Sequence, residues 1–584
     1  MRALRPKRHR AVAAVLPRPR PSRQRSNSQA GLIDLYRSTG WVTPLRCALN
    51  PARNPAMSDP RQLLYKVLSR PLIAAPLLGA LAALGFEPLH LWPLMLLAVA
   101  GLGELVARAA NPKRAMLIGW LWGVGHFCIG NNWIATAFTY QAQMPAWLGW
   151  LGVALLALYL AVYPALATLG AWHFRARPAA FALAFGGCWI VSEWLRGWVF
   201  TGYAWNPLGV ALMGPFDGQG LAMLARWIGT YGLSGIAILL GLLLRYAAIS
   251  VPAERARALG AAALLLAMLV PMIVTGSIAA PQGSLPFTLV QPNIAQDDID
   301  DPAKFNAQFV KTAQLSSPQN PGERRLVLWP ESGVPDYLRE GYPLYFYEDT
   351  TFAEDPKRAR ARIAHVVGKN AAVLTGAVDL DVRREQVVSA QNVVTVLDDS
   401  GVIRASYAKA HLVPYGEYLP MRVLLEPLGM SRLVAGSIDF RPGPGAQTLD
   451  LGPWGRAGIQ VCYEIVFSGE VVDRAHRPDY IFNPSNDGWF GNWGPPQHLA
   501  QARLRAIEEG LPVLRATTSG ISAVIDADGI VRQSLPRFVA GRLDGKVPPA
   551  HVPTLFARAG NMLALGLAAV LLGLSLLVLR RTRG

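Results

Sequence analysis

The sequence predicts an α-helical membrane bundle of about eight transmembrane helices joined to an α/β sandwich, and three observations carry that reading. The chain of 584 residues is 52% hydrophobic and only 16% charged, too apolar for an ordinary soluble protein of this length. Apolar segments recur at 72–86, 90–107, 115–138, 146–172, 179–196, 221–244 and 258–279, and an eighth lies at 559–579. Between the seventh and the eighth, short strand-like runs alternate with helix-like ones.

The first 56 residues hold 12 Lys and Arg against the single acid Asp34, so +11 of the formal +18 sits there. This segment is rich in Arg, Pro and Ser, lacks the apolar core of a signal peptide, and is too poor in buried-type residues to fold alone. Residues 1–56 are therefore expected to form an inert, disordered basic extension, with Met57 opening the structured chain. No nucleic acid partner is expected.

Residues 57–282 are expected to supply transmembrane helices one to seven. Most of these segments reach the ~20 residues that cross a bilayer as a helix; the first is short and could be re-entrant. Arg108, Lys113 and Arg114 follow the second segment, Arg175 and Arg177 the fourth, and Arg245, Arg255 and Arg257 the sixth, while Arg580, Arg581 and Arg583 close the chain. Alternate loops such as "TYQAQMPAW" are nearly free of basic residues. Because Lys and Arg stay in the cytoplasm, both ends are expected there, with residues 283–545 in the periplasm of a bacterial cell inner membrane and 546–584 giving the eighth helix and the cytoplasmic C-terminus. Glu193 and Arg196 would be costly facing lipid, and are expected to pair at i,i+3 near the periplasmic interface.

Within 283–545, "FTLVQPNI", "RLVLWPES", "AAVLTGAV", "GIQVCYE" and "YIFNPSND" read as buried strands. "DPAKFNAQFVKTAQL", "RARARIAHVVGKN" and "PPQHLAQARLRAIEEG" read as helices, and "LDDSGVI" and "IDADGIV" as hairpin turns. Strands alternating with helices, plus hairpins, give an α/β sandwich.

Reactive groups in open α/β folds gather at the carboxyl ends of strands. Glu331 ends "LVLWPE", Lys409 follows the hairpin strand in "ASYAKAHL", and Cys462 ends "GIQVC". Taken singly, each has a plain alternative: a helix cap, a solvated loop lysine, a packed thiol. Taken together they supply a base, an oxyanion donor and a nucleophile. The other cysteines, Cys47, Cys128 and Cys188, lie far apart, and no thiol pair has zinc-like spacing. Neither a metal nor a cofactor is expected.

The flanks "WPES", "KAHLVPYGEYLP", "CYE" and "NPSNDGWFGNWGPPQHLAQARLRAIE" resemble the nitrilase, or carbon–nitrogen hydrolase, superfamily. The resemblance implies a nitrilase-like αββα sandwich with a Glu331–Lys409–Cys462 triad. With its apolar segments and "SEWLRGWVFTGYAWNPLG", residues 192–209, nearly the whole chain from Met57 is similar to one membrane-embedded branch, the apolipoprotein N-acyltransferase family. That implies a membrane phospholipid as acyl donor, a cysteine thioester intermediate, and a diacylated apolipoprotein as acceptor, in the last step of bacterial lipoprotein maturation. Glu417, Tyr463 and Glu464 match further positions of the pattern and are expected to support the triad. The rival readings are a membrane-anchored nitrilase-type amidase that passes the acyl group to water, and a transporter with an extracytoplasmic binding domain.

Overall fold

Each of the eight apolar segments contains a helix. In the computed structural model, which describes residues 69–140, 145–249, 255–274, 283–425, 427 and 438–581, these are Pro71–Ala83, Trp92–Ala107, Pro112–Gly130, Trp147–Leu160 continued by Val162–Trp172, Pro178–Arg196, Ala225–Ile249, Arg255–Leu269 and Met562–Arg580. The expected extension 1–56, with Cys47, lies outside the described residues. Among the described residues, four spans are long and apolar enough to cross a membrane: Trp147–Trp172, Pro178–Arg196, Leu221–Ile249 and Met562–Arg580. The 13-residue first helix reaches only about 20 Å at 1.5 Å per residue, short of the ~30 Å apolar layer.

Small residues let these helices close on one another. A side chain at Gly79 would strike the backbone of Trp122, and one at Gly125 that of Pro76, so Pro71–Ala83 and Pro112–Gly130 touch at two backbone crossings. The last helix joins the bundle through Ala564, Ala568 and Leu571, which pack with Ile190 and Tyr231. Glu193 and Arg196 are buried but do not pair with each other as expected. Glu193 accepts from Trp189 Nε1 (3.0 Å) and the Leu208 N–H (2.9 Å), and Arg196 donates to the carbonyls of Tyr203 (3.0 Å) and Trp205 (2.8 Å). The loop after the helix brings its own carbonyls back over Arg196, which makes a carboxylate partner unnecessary.

Among the described residues the second half holds twelve strands: β1 (Pro286–Gln291), β2 (Arg325–Leu328), β3 (Ala371–Arg383), β4 (Gln386–Leu397), β5 (Ile403–Ala408), β6 (Thr448–Asp450), β7 (Arg456–Ile459), β8 (Tyr480–Ser485), β9 (Val513–Thr517), β10 (Ser522–Ile525), β11 (Val531–Leu535) and β12 (Gly541–Lys546). They form two six-stranded sheets, ordered β12-β1-β2-β3-β4-β5 and β11-β10-β9-β8-β7-β6. The sheets are built alike. Each has a parallel trio, β1-β2-β3 or β7-β8-β9, extended on both sides by antiparallel strands.

The inner faces meet through Leu289, Leu328 and Leu374 on one side and Ile459, Phe482 and Leu514 on the other. Helices Phe305–Ser316 and Pro356–Val367 cover the outer face of the first sheet through Phe309, Ile363 and Val367 against Val327 and Val373. Helix Gly494–Glu509 covers the second sheet, and the layers run helix, sheet, sheet, helix.

That last helix belongs to both halves. Leu499, Ala502 and Ala506 pack with the sheets, while Ala500, Leu504 and Ile507 pack with the membrane bundle. All its residues except Pro496 are buried, so its polar side chains must find partners inside the protein. Arg503 donates to the carbonyls of Gly214 (2.8 Å), Pro215 (2.6 Å), Gly218 (2.8 Å) and Gly529 (2.9 Å). At Gly229, with φ 69°, the bundle helix breaks, and the Thr230 N–H freed there donates to Glu508 (2.6 Å). A carboxylate of the sandwich half thus caps a helix of the bundle.

Candidate active site

Three strand ends converge where the sandwich meets the bundle. Glu331 lies three residues beyond β2, and its backbone passes so close to β3 that a side chain at Gly376 would collide with it. Lys409 follows β5 directly, its N–H donating to the Asn392 carbonyl (2.9 Å). Cys462 follows β7 and opens a short 3₁₀ turn, Cys462–Val466. Its φ of 51° lies in the left-handed region that a residue with a Cβ rarely occupies. All three side chains are buried.

Lys409 Nζ contacts Glu417 (3.0 Å) and Glu331 (3.4 Å). Asn392 Nδ2 donates to the same two carboxylates, at 3.0 and 2.8 Å. The second oxygen of Glu331 accepts from the Asn486 N–H (2.8 Å) and that of Glu417 from the Val413 N–H (2.7 Å). Burial pulls the Lys409 ammonium toward losing its proton, but the carboxylates of Glu417 and Glu331 outweigh it and hold it above its usual range. Burial pushes the Cys462 thiol well above its ordinary value; Glu331 adds to this and Lys409 opposes it. Burial and Glu331 thus favour the thiol over the thiolate, and Lys409 the reverse.

Glu464, two residues on, ties this turn to the lysine segment. One oxygen accepts from Tyr407 (2.8 Å) and from the N–H groups of Ala410 (2.7 Å) and His411 (3.1 Å), the other from the Val461 N–H (2.7 Å). Tyr463 points elsewhere, edge-on to Phe467 at 5.1 Å, in an apolar cluster that includes Trp133, Ala204 and Trp205 of the membrane half. The structure thus brings Glu331, Lys409, Cys462, Glu417 and Glu464 around one point and sets Tyr463 at the junction.

Sequence reasoning missed Asn392, which bridges both acids, and the Asn486 amide. The signal for Asn392 was present: an amide inside the apolar strand "NVVTVL" needs a buried partner. Also missed was the layer behind the cysteine. Asp487, His498 and Arg515 are fully buried, with Arg515 Nη2 donating to both Asp487 oxygens at 2.8 and 2.7 Å. Burial pushes the Asp487 carboxyl up, yet Arg515 and His498 bring it to about 2. Asp487→Asn is therefore expected to cost about 3–5 kcal/mol by leaving a buried guanidinium uncompensated, measured as a fall in melting temperature of the purified protein. Since the folded value lies below the ordinary ~3.9, the stabilisation is fully present above that pH and fades as pH drops toward 2.

The fold and these strand-end groups define a carbon–nitrogen hydrolase-type catalytic domain carried on a helical bundle. Residues 288–552 match the carbon-nitrogen hydrolase family, and residues 78–243 match the apolipoprotein N-acyltransferase N-terminal domain. Curated relatives named apolipoprotein N-acyltransferase include one from Rhodopseudomonas palustris, 33% identical over 86% of this chain and 94% of its own length, and one from Bradyrhizobium diazoefficiens, 35% identical with the same coverage. An amidase from Nesterenkonia sp. aligns with a TM-score of 0.31 at 18% identity, over 48% of this chain and 96% of its own. The chain belongs to the apolipoprotein N-acyltransferase family, and it is a membrane protein.

Proposed function

We propose that this chain is the enzyme that moves an acyl group from a membrane phospholipid to the free α-amine of an S-diacylglyceryl-cysteine at the N-terminus of an apolipoprotein. The observation that carries this reading is the tandem of family matches, a membrane half and a hydrolase half, joined through a helix that both cores share. A soluble amidase has no need of the first half, whereas a two-chain lipid donor must enter from the side of a bilayer. The distribution of Lys and Arg supports a periplasmic catalytic domain on the bacterial inner membrane, with both termini in the cytoplasm.

Cys462 is the nucleophile in this reading. Glu331 takes the thiol proton as sulfur attacks the ester carbonyl, and the Lys409 ammonium stabilises the oxyanion. The C–O bond then breaks, and the lysophospholipid oxygen leaves with the proton from Glu331. In the second half the amine adds to the thioester carbonyl, Glu331 receives a proton from nitrogen, the C–S bond breaks, and the thiolate is reprotonated. An amide is more stable than a thioester, so no ATP is consumed. Glu417 holds Lys409 charged and in place, Glu464 fixes the nucleophile's turn, and Tyr463 supports it at the junction with the bundle.

The test uses purified enzyme with phospholipid and a diacylated lipopeptide. The expected result is a lipopeptide heavier by one acyl chain with one lysophospholipid formed per conversion. Free fatty acid with unchanged lipopeptide would instead establish the hydrolase.

A further inference from the structure

The carbonyl of Cys462 points away from the triad, into the Asp487–His498–Arg515 layer. His498 Nε2 lies 3.0 Å from it, and Asn483 Nδ2 approaches it at 3.5 Å. A carbonyl can only accept, so Nε2 carries the hydrogen. The other ring nitrogen, Nδ1, faces Arg515 Nη2 at 3.0 Å and Asp487 Oδ1 at 3.1 Å. A bare Nδ1 would accept from the guanidinium and a protonated Nδ1 would donate to the carboxylate, and with either partner Nε2 keeps the hydrogen that faces the Cys462 carbonyl. Burial, followed by the charge of Arg515, lowers the His498 pKa, and Asp487 opposes them. Arg515 also donates to Ser485 Oγ (3.0 Å) and to the Asn483 side chain, so both donors near the Cys462 carbonyl are oriented by one buried cation.

The ring is braced from the membrane half. Trp205 tilts against it with centroids 5.3 Å apart, and Phe490 meets it edge-on at 5.5 Å. Trp205 Nε1 donates to Gln497 (2.8 Å), the residue beside His498, and Gln497 donates onward to the Glu87 carbonyl (3.1 Å). The bundle thereby sets the rotation of helix Gly494–Glu509 at the turn that carries His498.

We infer that His498 is a positioning residue for the acyl transfer: its Nε2–H holds the Cys462 carbonyl and keeps the nucleophile in its left-handed turn, with Asp487 and Arg515 holding Nδ1 and Trp205 setting the ring's plane. Such a turn is costly for a residue with a side chain and persists only where its surroundings over-determine it. Releasing the carbonyl lets the turn relax and moves sulfur off the line of attack, and a displacement of about 1 Å costs on the order of 10²-fold in rate. The inference rests on Cys462 being the nucleophile.

The experiment compares His498→Leu and His498→Gln with the wild type in the full-length purified protein. It measures single-turnover acylation of Cys462 by phospholipid, by intact mass, alongside thermal melting. The Leu variant fills the space without a donor and should charge about 10²-fold more slowly, with the phospholipid concentration giving half-maximal rate changed less than about 2-fold. The Gln variant restores an N–H toward the carbonyl and should recover at least about 10-fold of that loss. Charging by the Leu variant at the wild-type rate would overturn the inference, as would equal losses in both variants in proportion to their loss of melting temperature. Failure of the wild type to acquire an acyl group on Cys462 would overturn the reading beneath it, a distinguishable result.

Discussion

Replacing Cys462 with alanine is expected to abolish lysophospholipid release and lipopeptide conversion together, by at least about four orders of magnitude, as removal of a covalent nucleophile does in other triads. No other described cysteine can substitute, since Cys128 and Cys188 lie on bundle helices. Cys462→Ser should be nearly as inactive, because a hydroxyl is far harder to deprotonate than a thiol. The thiol itself is held high by burial and by Glu331, so alkylation by iodoacetamide should accelerate steadily with pH and reach no plateau below pH 9.0. A plateau near neutrality would mean a resting thiolate, leaving Glu331 no proton to take. Full activity in the alanine variant would remove the nucleophile altogether.

What the sequence reveals of this site depends on how local each signal is. β2, β7 and β8 are runs of apolar residues ending in a chemical group, and both features sit within a few residues of each other. β12, "GRLDGK", is short and polar, yet it pairs antiparallel with β1 about 250 residues earlier; no local pattern marks such a strand. Helix Gly494–Glu509 is legible as a helix in "PPQHLAQARLRAIEEG", but its burial is not. Its Arg503, Arg505 and Glu508 would suit a solvated face, but all three are buried because their partners arrive from the bundle, Thr230 and the 214–218 loop among them. Glu193 and Arg196 show the converse error. Their i,i+3 spacing suggests a pair, but both turn to groups supplied by the following loop. Polar satisfaction in a buried interface is settled across hundreds of residues.

That interface also bears on how the acyl group is protected. Trp133, Ala204 and Trp205 of the membrane half belong to the same apolar cluster as Cys462 and Tyr463, so the bundle contributes to the apolar core behind the proposed nucleophile. An apolar wall excludes water from a thioester while admitting an acyl chain. In the proposed mechanism, such surroundings favour a long-lived charged enzyme.

Phospholipid alone is therefore expected to charge Cys462, with lysophospholipid appearing before any lipopeptide is added and the acyl-enzyme surviving long enough to isolate. Steady-state rates with both substrates should give parallel double-reciprocal lines, the mark of ping-pong transfer. Glu331→Gln should block charging, since the thiol, which burial holds high, loses its base; a positioned general base contributes about 10²–10⁴-fold. Lys409→Met should be at least as damaging. It removes the oxyanion donor and leaves Glu331 and Glu417, which share that ammonium at 3.4 and 3.0 Å, without the cation between them. Acetylating the acceptor's α-amine should leave charging untouched and stop only discharge, which separates the two halves without altering the enzyme. Intersecting lines, or no acyl mass on Cys462 until the lipopeptide is present, would mean direct transfer in a ternary complex, and Glu331 would then act on the amine rather than on the thiol.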